Sequence, residues 1–226
     1  MIPTVQPRTP SDEVAHLFVD FSNLWYGLRA EALRRGDPDL AVRIHAGNLR
    51  QVLSAGRTVG DAVLVANRTV PEAVLRHFRS NFRVELVECG NVTGTEQGAD
   101  ELLQNAIYRT ILRPVGGAGV IVVATGDGAG WQHGRGFCAA LVGARRQGFG
   151  VEVVSFEASL SEQLRHLAHA VGALVVLDRF YESIAFLEGL RPARSPSLIH
   201  RATSTPEPWS VHDAAALARY GEVTAA

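Results

Sequence analysis

At 226 residues and 24.3 kDa, with 46% apolar and 20% charged residues, the chain has the size of one domain with an appendage. That apolar content and a formal net charge of −1 exclude intrinsic disorder over most of the length, and no run of about 18 apolar residues exists to cross a membrane. Two cysteines make no disulfide framework, the opening MIPTVQPRTPSDE lacks the apolar stretch of a secretory signal, and the expected compartment is the cytoplasm.

Residues 1–13 hold three prolines and no periodicity, so they read as a flexible lead-in. Short, unbroken, β-branched runs then alternate with helical patterns. The runs are 16–20 (HLFVD), 62–66 (AVLVA), 84–88 (VELVE), 120–124 (VIVVA), 151–155 (VEVVS) and 174–177 (LVVL). They do not alternate with polar residues, which predicts strands buried on both faces. Helices are predicted over 22–35 with Ser22 as cap, 46–54, and 71–80 opening on Pro71. Further helices are predicted over 99–112, 137–147, 159–171 with Ser159 and Glu162 as a capping box, and 181–187. Strand–helix repetition of this kind predicts an α/β protein with a mostly parallel sheet of five to six strands, within a domain spanning 14–189. Residues 191–208, with four prolines and three arginines, read as a linker. A short helix over 211–220 follows, capped by Ser210, as a surface for a homodimer or a protein partner.

All 22 cationic residues are Arg, and Lys is absent. With abundant Ala, Val and Gly, this reads as the coding bias of a GC-rich genome. It excludes a P-loop lysine and a lysine base. Near-neutrality gives no global argument for nucleic-acid binding, although each cation present can grip phosphate bidentately.

In an open α/β sheet, functional groups collect beyond the carboxyl ends of the strands. The predicted ends are Asp20-Phe21-Ser22-Asn23, Asn67-Arg68-Thr69, Glu88-Cys89-Gly90-Asn91, Thr125-Gly126-Asp127-Gly128 and the Ser155–Ser159 stretch. Asp20 and Asp127 thus come to one edge. A carboxylate ending a core strand is costly unless it is hydrogen-bonded, paired or metal-bound. Asp100 reaches the same edge, because its helix runs antiparallel to the strands. Three carboxylates from separate segments form a hard oxygen site suited to Mg²⁺ or Mn²⁺, and no His or Cys stands where zinc would need one. A dinucleotide loop is disfavoured, since Gly126-x-Gly128-x-Gly130 is followed by Trp131 where the glycine pattern should continue. A serine-hydrolase elbow is absent.

Phe18-Val19-Asp20-Phe21-Ser22-Asn23-Leu24 resembles the opening signature of the NYN domain, in the LabA-like branch of the PIN-like nuclease superfamily. Gln97-Gly98-Ala99-Asp100 is similar to its central motif, and Val123-Ala124-Thr125-Gly126-Asp127-Gly128 to its third. The ordered set covers roughly residues 15–178. The resemblance implies a Rossmann-like three-layer α/β/α sandwich and metal-dependent hydrolysis of RNA. Asp20, Asp100 and Asp127 would then be the catalytic, metal-binding acids. Asn23 would orient a ligand, and Thr125 would hydrogen-bond within the cluster. Ala129 stands where many relatives carry a second acid, and Asn105 and Ala106 where another is common. An apparent insertion, 129–136 (AGWQHGRG), offers Trp131, His133 and Arg135 toward RNA. Arg68, Arg76 and Arg79 are further candidates for the RNA backbone. The thinned acidic set leaves one alternative, an RNA- or protein-binding module with a degraded nuclease pocket.

Overall fold

In chain order the elements are β1 (Val14–Asp20), α1 (Phe21–Arg35), β2 (Val42–Ile44), α2 (Ala46–Ser54), β3 (Thr58–Asn67), α3 (Glu72–Arg79), β4 (Arg83–Val87) and α4 (Ala99–Ile111). There follow β5 (Val120–Ala124), α5 (Phe137–Arg146), β6 (Gly150–Ser155), α6 (Glu162–Val171), β7 (Ala173–Val176), α7 (Tyr181–Ile184) and β8 (Ala185–Leu187). The computed structural model describes residues 13–88, 98–113, 119–126, 137–190 and 192–193. The lead-in, the 129–136 insertion, Cys89, the linker and the 211–220 helix lie outside the described residues, apart from Glu13, Pro192 and Ala193.

The six apolar runs become one six-stranded sheet in the order β4-β3-β1-β5-β6-β7, with every neighbouring pair parallel. Successive residues of the central strands serve opposite layers, as the pleat requires. Leu17, Val19, Val122 and Ala124 pack on the side of α1, α2 and α3, whereas Phe18, Ile121 and Val123 pack on the side of α4, α5 and α6. All five residues of β5 are buried, so it could not alternate with polar residues. The result is a three-layer α/β/α sandwich.

From β1 the chain steps outward to β3 and β4, then returns to the other side for β5, β6 and β7. The direction in which successive strands are added therefore reverses between β1 and β5. A crevice opens at such a switch point, because the loops leaving the two strands diverge.

Several local expectations are corrected. The cap of α1 is Asp20 rather than Ser22, and its side chain accepts the Asn23 N–H. The cap of α6 is Ser161, accepting from Leu164 N, while Ser159 ends a separate 3-10 turn. The expected 181–187 helix is a single turn, α7, followed by β8. Strand β8 pairs antiparallel with β2 in a two-stranded ribbon that the sequence reading did not contain.

Candidate functional site

Asp20 is the last residue of β1 and the N-cap of α1, and only 7% of it is exposed. Its Oδ1 accepts the backbone N–H of Asn23 at 3.1 Å, and its Oδ2 accepts the hydroxyl of the fully buried Thr125 at 3.3 Å. The helix cap and the adjacent hydroxyl repay part of the cost of removing this carboxylate from water. Thr125 and Gly126 continue from β5, at the switch point. The Asn23 side-chain oxygen accepts the Gly126 N–H at 2.6 Å, and Gly126 O accepts the Ser161 N–H at 2.8 Å. The first turn of α1, the end of β5 and the start of α6 are thereby tied together.

Asn67, buried at the end of β3, turns the chain by accepting the Thr69 N–H on its Oδ1 at 2.9 Å. Asp100 lies in the first turn of α4, where the partial positive charge of a helix start favours a carboxylate. Gly98, with φ +92°, supplies the left-handed residue from which that helix begins.

Asp20, Asn23, Asn67, Thr69 and Asp100 line one cleft of about 930 Å³. The structure thus brings two of the three predicted acids to one cavity, with Asn23 and with Thr125 behind them. Asp127, Trp131, His133 and Arg135 lie outside the described residues. Among the described residues no three His, Cys, Asp or Glu side chains converge to hold a metal ion.

Arg68 is 62% exposed in its side chain, pairs with Glu88 at 3.7 Å, and does not line the cleft. Nor do Arg76 and Arg79, the latter paired with Glu72. The arginines that do line it are Arg29 and Arg43, joined by Trp25, Tyr26, His77 and Phe186, none of which the sequence reading singled out. A signal existed for α1 alone. Ser22, Tyr26 and Arg29 recur at helical spacing on the face opposite its apolar residues. Cys138, buried in α5, has its thiol pushed up to about 11 by burial, which disfavours the thiolate.

Fold and cleft together define a parallel α/β/α protein with a carboxylate-bearing crevice at the carboxyl ends of β1 and β3. No family model matches the chain, and comparison with curated proteins finds no match. A crystal structure of a protein of unknown function from Vibrio parahaemolyticus RIMD 2210633 is similar in fold, with a TM-score of 0.53 and 18% identity. It aligns over 76% of this chain and 96% of its own. No helix among the described residues is long and apolar enough to cross a membrane.

Proposed function

We propose that this cleft is the active centre of a divalent-metal-dependent ribonuclease that hydrolyses RNA phosphodiester bonds. The observation that carries the reading is the buried carboxylate of Asp20, which opens onto the same cleft as Asp100.

The donor set fits Mg²⁺ or Mn²⁺. The groups at the strand-end part of the cleft are carboxylate, amide and hydroxyl oxygens from Asp20, Asp100, Asn67 and Thr69, the hard donors such ions prefer. Asp20 and Asp100, with Asp127, would hold the ion. When bound, it makes a water nucleophilic near neutral pH and neutralises charge gathering on the phosphoryl oxygens. The protein's own residues do the positioning. Thr125 and the Asn23 N–H fix the two oxygens of Asp20 in direction, so the carboxylate does not rotate when substrate arrives. Asn23 also holds Gly126 and with it the chain leading to Asp127.

The test is cleavage of single-stranded and structured RNA with Mn²⁺, comparing the wild type with Asp20→Asn and Asp127→Asn. The expected result is 5′-phosphate and 3′-hydroxyl products from the wild type and at least a roughly 100-fold loss in either variant, several kcal/mol of charge stabilisation being at stake. Undiminished cleavage in both variants would overturn the assignment. RNA binding without cleavage would favour the binding-module alternative.

A further inference from the structure

The cleft continues well past the acids. Ser22, Trp25, Tyr26 and Arg29 follow one stripe of α1 along it. By helix rise, Tyr26 stands roughly 9 Å beyond Asp20 and Arg29 roughly 13 Å. The opposite end is the β2–β8 ribbon, where Arg43 and Phe186 are register partners and both line the cavity. The Arg43 guanidinium lies over the Trp25 ring, 5.8 Å from its centroid, and is braced by Glu188 at 2.8 Å and by the carbonyls of Leu40 and Val42. Arg29 is braced likewise by Asp39. Tyr26 is 68% exposed.

Chemistry therefore changes along the cleft. At the strand ends the charged groups are carboxylates alone, whereas the ribbon end carries aromatic faces with two guanidinium groups, each paired with a carboxylate: Arg29 with Asp39, and Arg43 with Glu188, which also lines the cleft. Stacking on an aromatic face is how proteins hold unpaired bases, whereas a duplex keeps its bases stacked inside. The shape also favours a strand over a protein partner. A concavity of about 930 Å³ is of ligand size, while a protein interface needs a broad surface of about 800 Å² on each side.

We propose that the ribbon end of the cleft is a nucleobase-stacking site, in which an unpaired base of a single nucleic-acid strand lies on the Tyr26 ring beside the Arg43–Phe186 wall while the backbone runs toward the acids. The proposal rests on reading the cleft as a nucleic-acid site, and it assigns a recognition role to residues outside the acidic cluster. Arg29 and Arg43 meet the backbone there, and Tyr26 meets the base.

The experiment is fluorescence anisotropy with a labelled single-stranded RNA oligonucleotide, its duplex, and an abasic strand of equal length, using the full chain in EDTA. The wild type should bind the single strand more tightly than the duplex or the abasic strand. Tyr26→Ala should weaken single-strand binding by about 5- to 150-fold, the range for one base–aromatic stack, and should leave abasic binding unchanged. Tyr26→Phe should restore binding, since the ring remains. Equal affinity of the wild type and Tyr26→Ala overturns the proposal, as does equal affinity for the abasic strand. Absence of oligonucleotide binding together with Tyr26-dependent self-association in sedimentation overturns it in favour of a protein interface. The two readings fail separately. Tyr26-dependent binding without Mn²⁺-dependent cleavage removes the ribonuclease and keeps the base site, while normal cleavage indifferent to Tyr26 removes only the base site.

Discussion

The side-chain oxygen of Asn23 accepts the backbone N–H of Gly126 at 2.6 Å, joining the first turn of α1 to the end of β5 across the switch point. This bond fixes where the chain leaves the sheet toward Asp127. Removing the acceptor strands a half-buried N–H, which costs about 1–3 kcal/mol. Asn23→Ala should lower the unfolding free energy by about that amount in urea titrations. An unchanged urea midpoint would show that the bond does not hold this edge together.

Gly126 has no room for a side chain. A Cβ there would lie 2.1 Å from the Ser159 carbonyl oxygen, and backbone cannot yield as a flexible side chain can. Gly27 on α1 meets the same turn, with Phe156 Cβ and Ser159 Oγ both 2.7 Å from its would-be Cβ. Gly126→Ala and Gly27→Ala should each destabilise by about 1–3 kcal/mol, the usual cost of overpacking. Thermal unfolding monitored by circular dichroism reads this as a lower Tm. Any cleavage activity should fall in Gly126→Ala, because the shifted turn carries the Asn23 contact with it.

Asp20 has a structural and a proposed chemical duty, and two substitutions separate them. Asn at this position keeps a cap acceptor for the Asn23 N–H, while Ala does not. Asp20→Ala should therefore lose about 0.5–2 kcal/mol of stability that Asp20→Asn largely retains. RNA cleavage should vanish in both. Cleavage lost in Asp20→Ala alone would reduce the residue to a cap.

Arg57 and Glu152 form a doubly hydrogen-bonded ion pair, 2.8 Å at each prong, with both side chains 1% exposed. It ties the end of α2 to β6 beneath the sheet. Breaking such a pair from one side leaves a buried charge and costs about 3–5 kcal/mol, whereas replacing both partners with apolar groups is often close to neutral. Arg57→Met should be severely destabilised in urea, and the double variant Arg57→Met with Glu152→Leu should recover most of the loss. Failure of the double variant to recover would mean that the hydrogen bonds from Arg57 to Ser54 and Leu53 carbonyls carry the site.

At the opposite edge of the sheet, His16 accepts the Asp61 N–H on Nδ1 at 3.1 Å and packs against Phe149. Burial holds its pKa below the ordinary value, outweighing the attraction of Asp61, while Arg113 pushes the same way as burial. The unfolded chain takes up a proton near pH 6.5 that the folded state still refuses. Stability from this site is thus present above about pH 6.5 and is lost as pH falls through the lower folded value. Burial raises the pKa of Asp61, but hydrogen bonds from Thr110 and Arg113 outweigh it and hold the carboxyl low, so its own contribution is lost only in stronger acid. His16→Asn, which keeps a side-chain acceptor, should flatten the change in urea midpoint between about pH 7.5 and 5.5. An equally steep change in that variant would move the effect to another group.

Six strands were legible because each is a run rich in β-branched and aliphatic residues. Burial on both faces holds for the central strands such as β5, whereas the edge strands β4 and β7 each bury one residue, Val87 and Val175, since an edge strand has a neighbour on one side alone. Helix starts were less legible. Ser22 and Asp20 are both good caps two residues apart, as are Ser159 and Ser161, and the choice in each pair falls where the neighbouring strand or turn releases the chain. Asp20, Asn23, Asp100 and Thr125 could be drawn to one edge because parallel topology puts every strand's carboxyl end on the same side.

What sequence alone determined was therefore the layered α/β architecture and the sheet edge to which Asp20 and Asp100 come, since both follow from local apolar patterning and the direction of the chain. The ribbon of β2 and β8 was decided only in the tertiary structure. Val42–Ile44 and Ala185–Leu187 are three residues each, too short to show a period, and each exists as a strand because the other, far along the chain, supplies its hydrogen bonds. That pairing sets Arg43 and Phe186 side by side on the cleft wall, with the Arg43 guanidinium over Trp25, and so gives the cleft an aromatic end bearing paired arginines.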